Sequence, residues 1–162
     1  MTINKTRGNG VILTSLIFAM ILRIVPLPQE WVIYNPDWVA LVVIYWCLAV
    51  PERFGVGLAW ITGLFCDVLT GRLLGQYALS YCIIAFVCVK THQRLRVFPP
   101  SQQAIIVLFL LLLGQLLIFW TQGIRGITPE PWHYGASSVS GALVWPIVLQ
   151  LLRKMRQKHR VQ

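Results

Sequence analysis

The sequence predicts an all-α integral membrane protein of six transmembrane helices with both termini in the cytoplasm. Three observations predict it. The chain of 162 residues is 57% hydrophobic and 12% charged, with a mean hydropathy of +0.68. Soluble domains carry roughly 25% charged residues, so lipid has to cover part of this apolar surface. Six apolar segments then follow one another between Pro, Gly and charged punctuation, and the Lys and Arg residues cluster at alternate boundaries of those segments. The length fits a single transmembrane domain, 1–162.

Each segment has a start and a stop. The first, 10–25, ends at the breaker Pro26-Leu27-Pro28. Lys5 and Arg7 ahead of Val11–Leu22 imitate a secretory leader, but no small-residue cleavage site follows, so the segment is read as a retained helix. The second, 36–50, opens at Asn35-Pro36-Asp37 and is stopped by Pro51. The third, 54–69, runs into the turn Thr70-Gly71, and the fourth covers 75–90. The fifth, 103–122, lies in Val97–Ile124, the longest stretch without Asp, Glu, Lys or Arg. The sixth, 135–152, precedes a short basic tail, 153–162. A hydrocarbon core takes about 20 helical residues. The second and third segments fall short of that, which implies tilt, a thin bilayer or partial burial of their ends.

Charge sets the orientation. With both termini inside, the inner regions carry eleven basic residues: Lys5, Arg7, Arg53, Lys90, Arg94, Arg96, Arg153, Lys154, Arg156, Lys158 and Arg160. The outer loops carry Arg72 and Arg125, and Arg23 lies near the outer end of the first segment. Three of the five acids, Glu30, Asp37 and Glu130, fall outside. Trp31, Trp38, Trp120 and Trp132 map to the outer interface, where amphipathic rings collect. Trp46, Trp60 and Trp145 fall within spans and read as packing residues.

The net charge of +9 does not point to nucleic acid, because the basic residues do not interleave with aromatics on a polar surface. Cys47, Cys66, Cys82 and Cys88 all sit in apolar stretches and read as packing residues rather than metal ligands. No nucleophile and base assemble on one side of the membrane, and no phosphate loop is present. The sequence therefore indicates no catalytic residue, no metal site and no cofactor. The tail, with Arg153, Lys154, Arg156, Lys158 and Arg160, reads as an anchor to anionic lipids.

The most informative position is Asp67. A carboxylate at membrane depth costs about 2.5–3.5 kcal/mol on insertion scales, and this one sits among small residues at every fourth position: Gly55, Ala59, Gly63, Gly71 and Gly75. Such a stripe admits a close neighbour, which marks the third segment as the organising helix. Arg23 and Asp67 each lie about 13 residues from the inner start of their segments, hence roughly 20 Å deep at 1.5 Å per residue. Arg72, just past Gly71, is the competing cation. The expectation is an ion pair of Asp67 with Arg23 or Arg72; contact with another protein and a role in a transport path are the alternatives.

The order of landmarks resembles the bacterial rod shape-determining protein MreD family. The landmarks are Pro26-Leu27-Pro28, Asn35-Pro36-Asp37-Trp38, Tyr45-Trp46, Pro51-Glu52-Arg53, and then Gly63, Asp67, Gly71 and Leu74-Gly75 with Ala78-Leu79. The likeness is specific from Pro26 to Leu79 and rests on topology beyond it; Arg23 is not part of the pattern. The resemblance implies a non-catalytic inner-membrane subunit of the cell-elongation machinery in a rod-shaped Gram-negative bacterium. It implies association with MreC, and through MreC with MreB, RodA and a class-B penicillin-binding protein, to direct lateral peptidoglycan synthesis. It implies that Trp38, Tyr45, Trp46, Gly63, Asp67, Gly71 and Gly75 serve packing or partner contact. The six-helix pattern is also remotely similar to the substrate-binding components of energy-coupling vitamin transporters, whose rival reading would use Asp67, Trp60 and the outer loops as a small-molecule site. A binder needs several convergent polar groups at one depth. Only Asp67 and Arg23 qualify, which favours the scaffold.

Overall fold

The computed structural model describes residues 3–126 and 131–158. Glu130, His159 and Arg160, and the side chains of Lys5 and Arg7, lie outside the described residues. The helices are α1 (Ile3–Ile24), α2 (Gln29–Val32), α3 (Trp38–Ala49), α4 (Val56–Thr70), α5 (Gln76–Leu95), α6 (Pro100–Ile124) and α7 (Pro131–Lys158). The one-turn α2 in the Pro26–Asp37 loop was not expected, and α7 continues through Arg153–Lys158, where the sequence reading placed a tail. Among the described residues, two helices, α6 and α7, are long and apolar enough to cross a membrane. With 12 and 15 residues, α3 and α4 reach only about 18 and 22 Å at 1.5 Å per residue, against a hydrocarbon core of about 30 Å.

Side-chain contacts fix the direction of each helix. Arg23 at the end of α1 meets Asp37 at the start of α3, so these two run antiparallel. Tyr81 near the start of α5 also meets Asp37, while Arg96 just past the end of α5 meets Leu48 and Ala49 at the end of α3. Hence α3 and α5 run parallel. Gln76 reaches Ile118 and Thr121, and Gln103 reaches Leu95, which makes α5 and α6 antiparallel. Ser137 at the start of α7 bonds the Asn35 carbonyl, so α7 runs alongside α3. The start of α1 and the end of α7 therefore lie at the same end of the molecule.

At the centre is α3. Its residues Val39 to Leu48 are all buried, and α1, α5, α6 and α7 pack around it. A helix that is apolar on every side is stable only when enclosed. This corrects the expectation that the Asp67 segment organises the fold: α4 packs chiefly on α5 and exposes Leu58, Trp60, Ile61, Phe65 and Val68. Trp60, expected to pack inside, is 48% exposed. On α6 the exposed face carries Ile105, Phe109, Leu112, Leu116 and Trp120, while Val107, Leu110, Leu111, Gly114 and Ile118 face inward. A helix apolar on both its buried and its exposed face is built for lipid. A Cβ on Gly141 of α7 would stand 2.6 Å from Leu111 Cδ1, so α6 packs closely on α7 at this glycine.

Candidate functional site

The polar site gathers where α1 ends and α3 and α5 begin. Asp37 is the N-cap of α3, and its Oδ1 accepts from the Ala40 N–H at 3.1 Å. Asn35 turns the chain into α3, accepting the Trp38 indole N–H at 2.9 Å on its side-chain oxygen. The last turn of α1 supplies Arg23, whose Nη1 lies 2.7 Å from Asp37 Oδ1, with the two side chains only 16% and 8% exposed. The Tyr81 hydroxyl stands 2.9 and 3.1 Å from the two Asp37 oxygens and 3.1 Å from Arg23 Nη1. The Arg23 guanidinium also lies over the Tyr77 ring, 4.1 Å from its centroid. Three helices are thus tied at one point.

Asp67 belongs to the neighbouring layer. It is fully buried near the end of α4 and aims at the start of α5. Its carboxylate accepts the Gly75 N–H at 2.8 Å, the Tyr77 N–H at 2.8 Å and the Ala78 N–H at 3.4 Å. The first turn of a helix has N–H groups without intrahelical partners and the positive end of the helix dipole, so a carboxylate there is stabilised without a cation. The expected ion pair with Arg23 or Arg72 is therefore corrected: Arg23 holds Asp37, and Asp67 caps α5 from the preceding helix. Equal depth placed Arg23 and Asp67 in one neighbourhood, since Tyr77 lies under the first by its ring and bonds the second by its backbone. Arg72 lies 5.5 Å from the Tyr77 ring centroid, and its Nη1 is buried without a partner.

The glycine stripe divides into two kinds of position. Gly63 is a contact within the chain, where a Cβ would stand 2.3 Å from Ala78 Cα and 2.5 Å from its nitrogen. Gly71 and Gly75 do not continue the stripe. Gly71 (φ 61°) ends α4 in a left-handed C-cap, with Gly71 N–H bonded to the Val68 carbonyl and Arg72 N–H to the Asp67 carbonyl. Gly75 (φ 104°) opens α5 and has no side chain to cap it, which is why Asp67 is needed. Of the aromatic landmarks, Trp46 is fully buried and donates to Ser15 Oγ at 2.8 Å, tying α3 to α1. Tyr45 packs edge-on against it at 5.2 Å, and Trp38, the first residue of α3, packs partly buried against the core.

Sequence reading missed Tyr81, Arg96 and the role of Asp37. Asp37 had a signal: it flanks the same loop as Arg23 and sits in an N-cap position. Arg96 donates from Nε to the Leu48 carbonyl at 2.7 Å and from Nη2 to the Ala49 carbonyl, closing the C-terminus of α3. No sequence pattern pairs residues 48 and 96. Among the described residues there is no cluster of His, Cys, Asp or Glu able to hold a metal, and the four cysteines are free thiols.

Fold and site together define a small helical membrane protein in which Arg23, Asp37, Asp67 and Arg96 join helices. The chain belongs to the MreD family: the family's sequence profile, described as rod shape-determining protein MreD, matches residues 4–155. A curated relative, "Rod shape-determining protein MreD" of Haemophilus influenzae, is 29% identical over 147 residues, 91% of each chain. No solved structure matches.

Proposed function

We propose that this protein is a non-catalytic inner-membrane scaffold, crossing six times with both ends cytoplasmic. It holds the transmembrane helix of MreC and so helps MreB, RodA and a class-B penicillin-binding protein direct lateral peptidoglycan synthesis. Membership of the MreD family supports the role in rod shape determination. The small-molecule alternative finds no support: Asp67 is engaged by backbone N–H groups, and Trp60 lies on the exposed side of α4.

The observation that carries the docking reading is an apolar groove of about 400 Å³ between α1 and α4. Leu13 and Leu16 form one wall, and Leu58, Ile61 and Phe65 the other. Gly10 and Thr62 in the groove permit close approach of a helix backbone. Arg53 sits at one end with a buried, unpartnered Nη1, suited to a carbonyl or carboxylate on the occupant. A photo-crosslinking residue at Leu58 or Ile61 should capture MreC in cells, and one at Phe109 on the exposed face of α6 should not. Capture of MreC from Phe109 alone would move the docking face to α6.

A further inference from the structure

At the end where α3 and α5 finish and α6 begins, the helices line a second, open-sided cavity of about 470 Å³. Three arginines line it, Arg96, Arg153 and Arg156, and no acid does. Arg96 is fixed there by its bonds to the last carbonyls of α3. Arg153 and Arg156, one turn apart on α7, bring two more guanidinium groups to the same wall, and among the described residues the one ion pair is Arg23–Asp37 on the opposite end. Three gathered cations repel one another unless an anion joins them.

Two buried polar side chains point the same way. Tyr45 is 4% exposed and its hydroxyl has no hydrogen-bond partner. Gln103 is 6% exposed; its Nε2 is committed to the Leu95 and Phe98 carbonyls, which leaves its Oε1 unpartnered. Both residues line the cavity. A buried polar group left unmatched is destabilising, so such groups are ordinarily satisfied.

We propose that this cavity is a binding site for a phosphate group, with the Arg96, Arg153 and Arg156 guanidiniums and the Tyr45 hydroxyl as donors. Guanidinium forks match phosphate oxygens in pairs. The Gln103 oxygen, an acceptor, suits a hydroxyl beside the phosphate. Leu48 and Leu149 make the remaining wall apolar, as an acyl chain requires. A glycerophospholipid headgroup meets all of these conditions, and a soluble phosphate ester meets all but the last. The site differs from diffuse attraction of a basic segment to a membrane, because Arg96 is held by the end of α3 and the arginines surround the buried, unmatched groups of Tyr45 and Gln103. It needs only that this end of the molecule meets a membrane boundary, and it holds whichever partner occupies the α1/α4 groove.

The test is native mass spectrometry of the full chain in detergent, titrated with phosphatidylglycerol and, as a zwitterionic control, phosphatidylcholine. The double variant Arg153→Gln/Arg156→Gln should weaken phosphatidylglycerol retention by about tenfold or more. Lys154→Gln/Lys158→Gln removes as many charges from the same helix outside the cavity and should change it less than about twofold. Tyr45→Phe should weaken retention while leaving the lipid-free protein at least as heat-stable, since it deletes an unmatched hydroxyl. Competition by inorganic phosphate or glycerol 3-phosphate at millimolar concentration would assign the same site to a soluble ester, and no competition assigns it to the lipid. Equal losses in the arginine and lysine variants, or no loss with Tyr45→Phe, would overturn the proposal. Crosslinking of MreC at Leu58 reports separately on the scaffold reading.

Discussion

Asp37 and Asp67 are carboxylates at helix ends, yet they are stabilised differently, and single substitutions separate them. Asp67 serves the backbone of α5, so Asp67→Ala leaves the Gly75 and Tyr77 N–H groups unmatched at about 1–3 kcal/mol each. Asp67→Asn retains one acceptor oxygen and should lose less, measured as resistance to unfolding in mixed micelles. The exchange Arg23→Asp with Asp67→Arg should rescue nothing, because the two side chains do not pair. For Arg23 and Asp37, whose side chains are 16% and 8% exposed, breaking the pair from either side should cost about 3 kcal/mol, the lower end for buried pairs. The double variant Arg23→Gln/Asp37→Asn should cost clearly less than the sum of the single changes. Additive losses would show that Tyr81 and the α3 cap, and not the ion pair, carry the effect of Asp37.

Among the elements, the short α3 depends most on its neighbours. Twelve apolar residues, of which Val39 to Leu48 are buried, leave two helix ends with unsatisfied backbone groups. Asp37 serves the first end and Arg96 the second. Arg96→Leu should therefore destabilise the fold by about 1–3 kcal/mol even though Arg96 lies outside α3. The α4–α5 contact makes an equally local prediction. Gly63→Ala places a Cβ against the Ala78 backbone at 2.3 Å and should cost about 1–3 kcal/mol. Gly57→Ala in the same helix meets nothing within 4 Å and should be neutral or stabilising by at most about 1 kcal/mol. If both alanine variants unfold alike, the close approach at Gly63 is not what holds α4 on α5.

For the whole molecule, the decisive quantity is charge asymmetry. Arg53, Lys90, Arg94, Arg96, Arg153, Lys154, Arg156 and Lys158 belong to the end where α3, α5 and α7 finish, and Arg23, Arg72 and Arg125 to the opposite end. Cytoplasmic loops carry the excess of Lys and Arg. A reporter active only in the periplasm should then be silent when fused after Gln162 and active when inserted after Glu130. The reverse pattern would invert the assignment of both the basic cavity and the Arg23–Asp37 site.

The sequence by itself determined the helical class, the asymmetry of charge and the family, because periodicity, Pro and Gly punctuation and the distribution of Arg and Lys are local properties. It singled out Asp67 and Gly63, and looked for the partner of Asp67 among the arginines. A cation was sought for a buried anion, whereas the unpaired N–H groups at the start of α5, which no residue type reveals, satisfy it as well. Only the tertiary structure decided that α3 and not α4 lies at the centre, that Arg23 belongs to Asp37, and that Arg96 joins Arg153 and Arg156 around one cavity. These facts depend on which helices become neighbours. That choice is made by the packing of whole faces against one another, and it brings together residues that stand far apart along the chain.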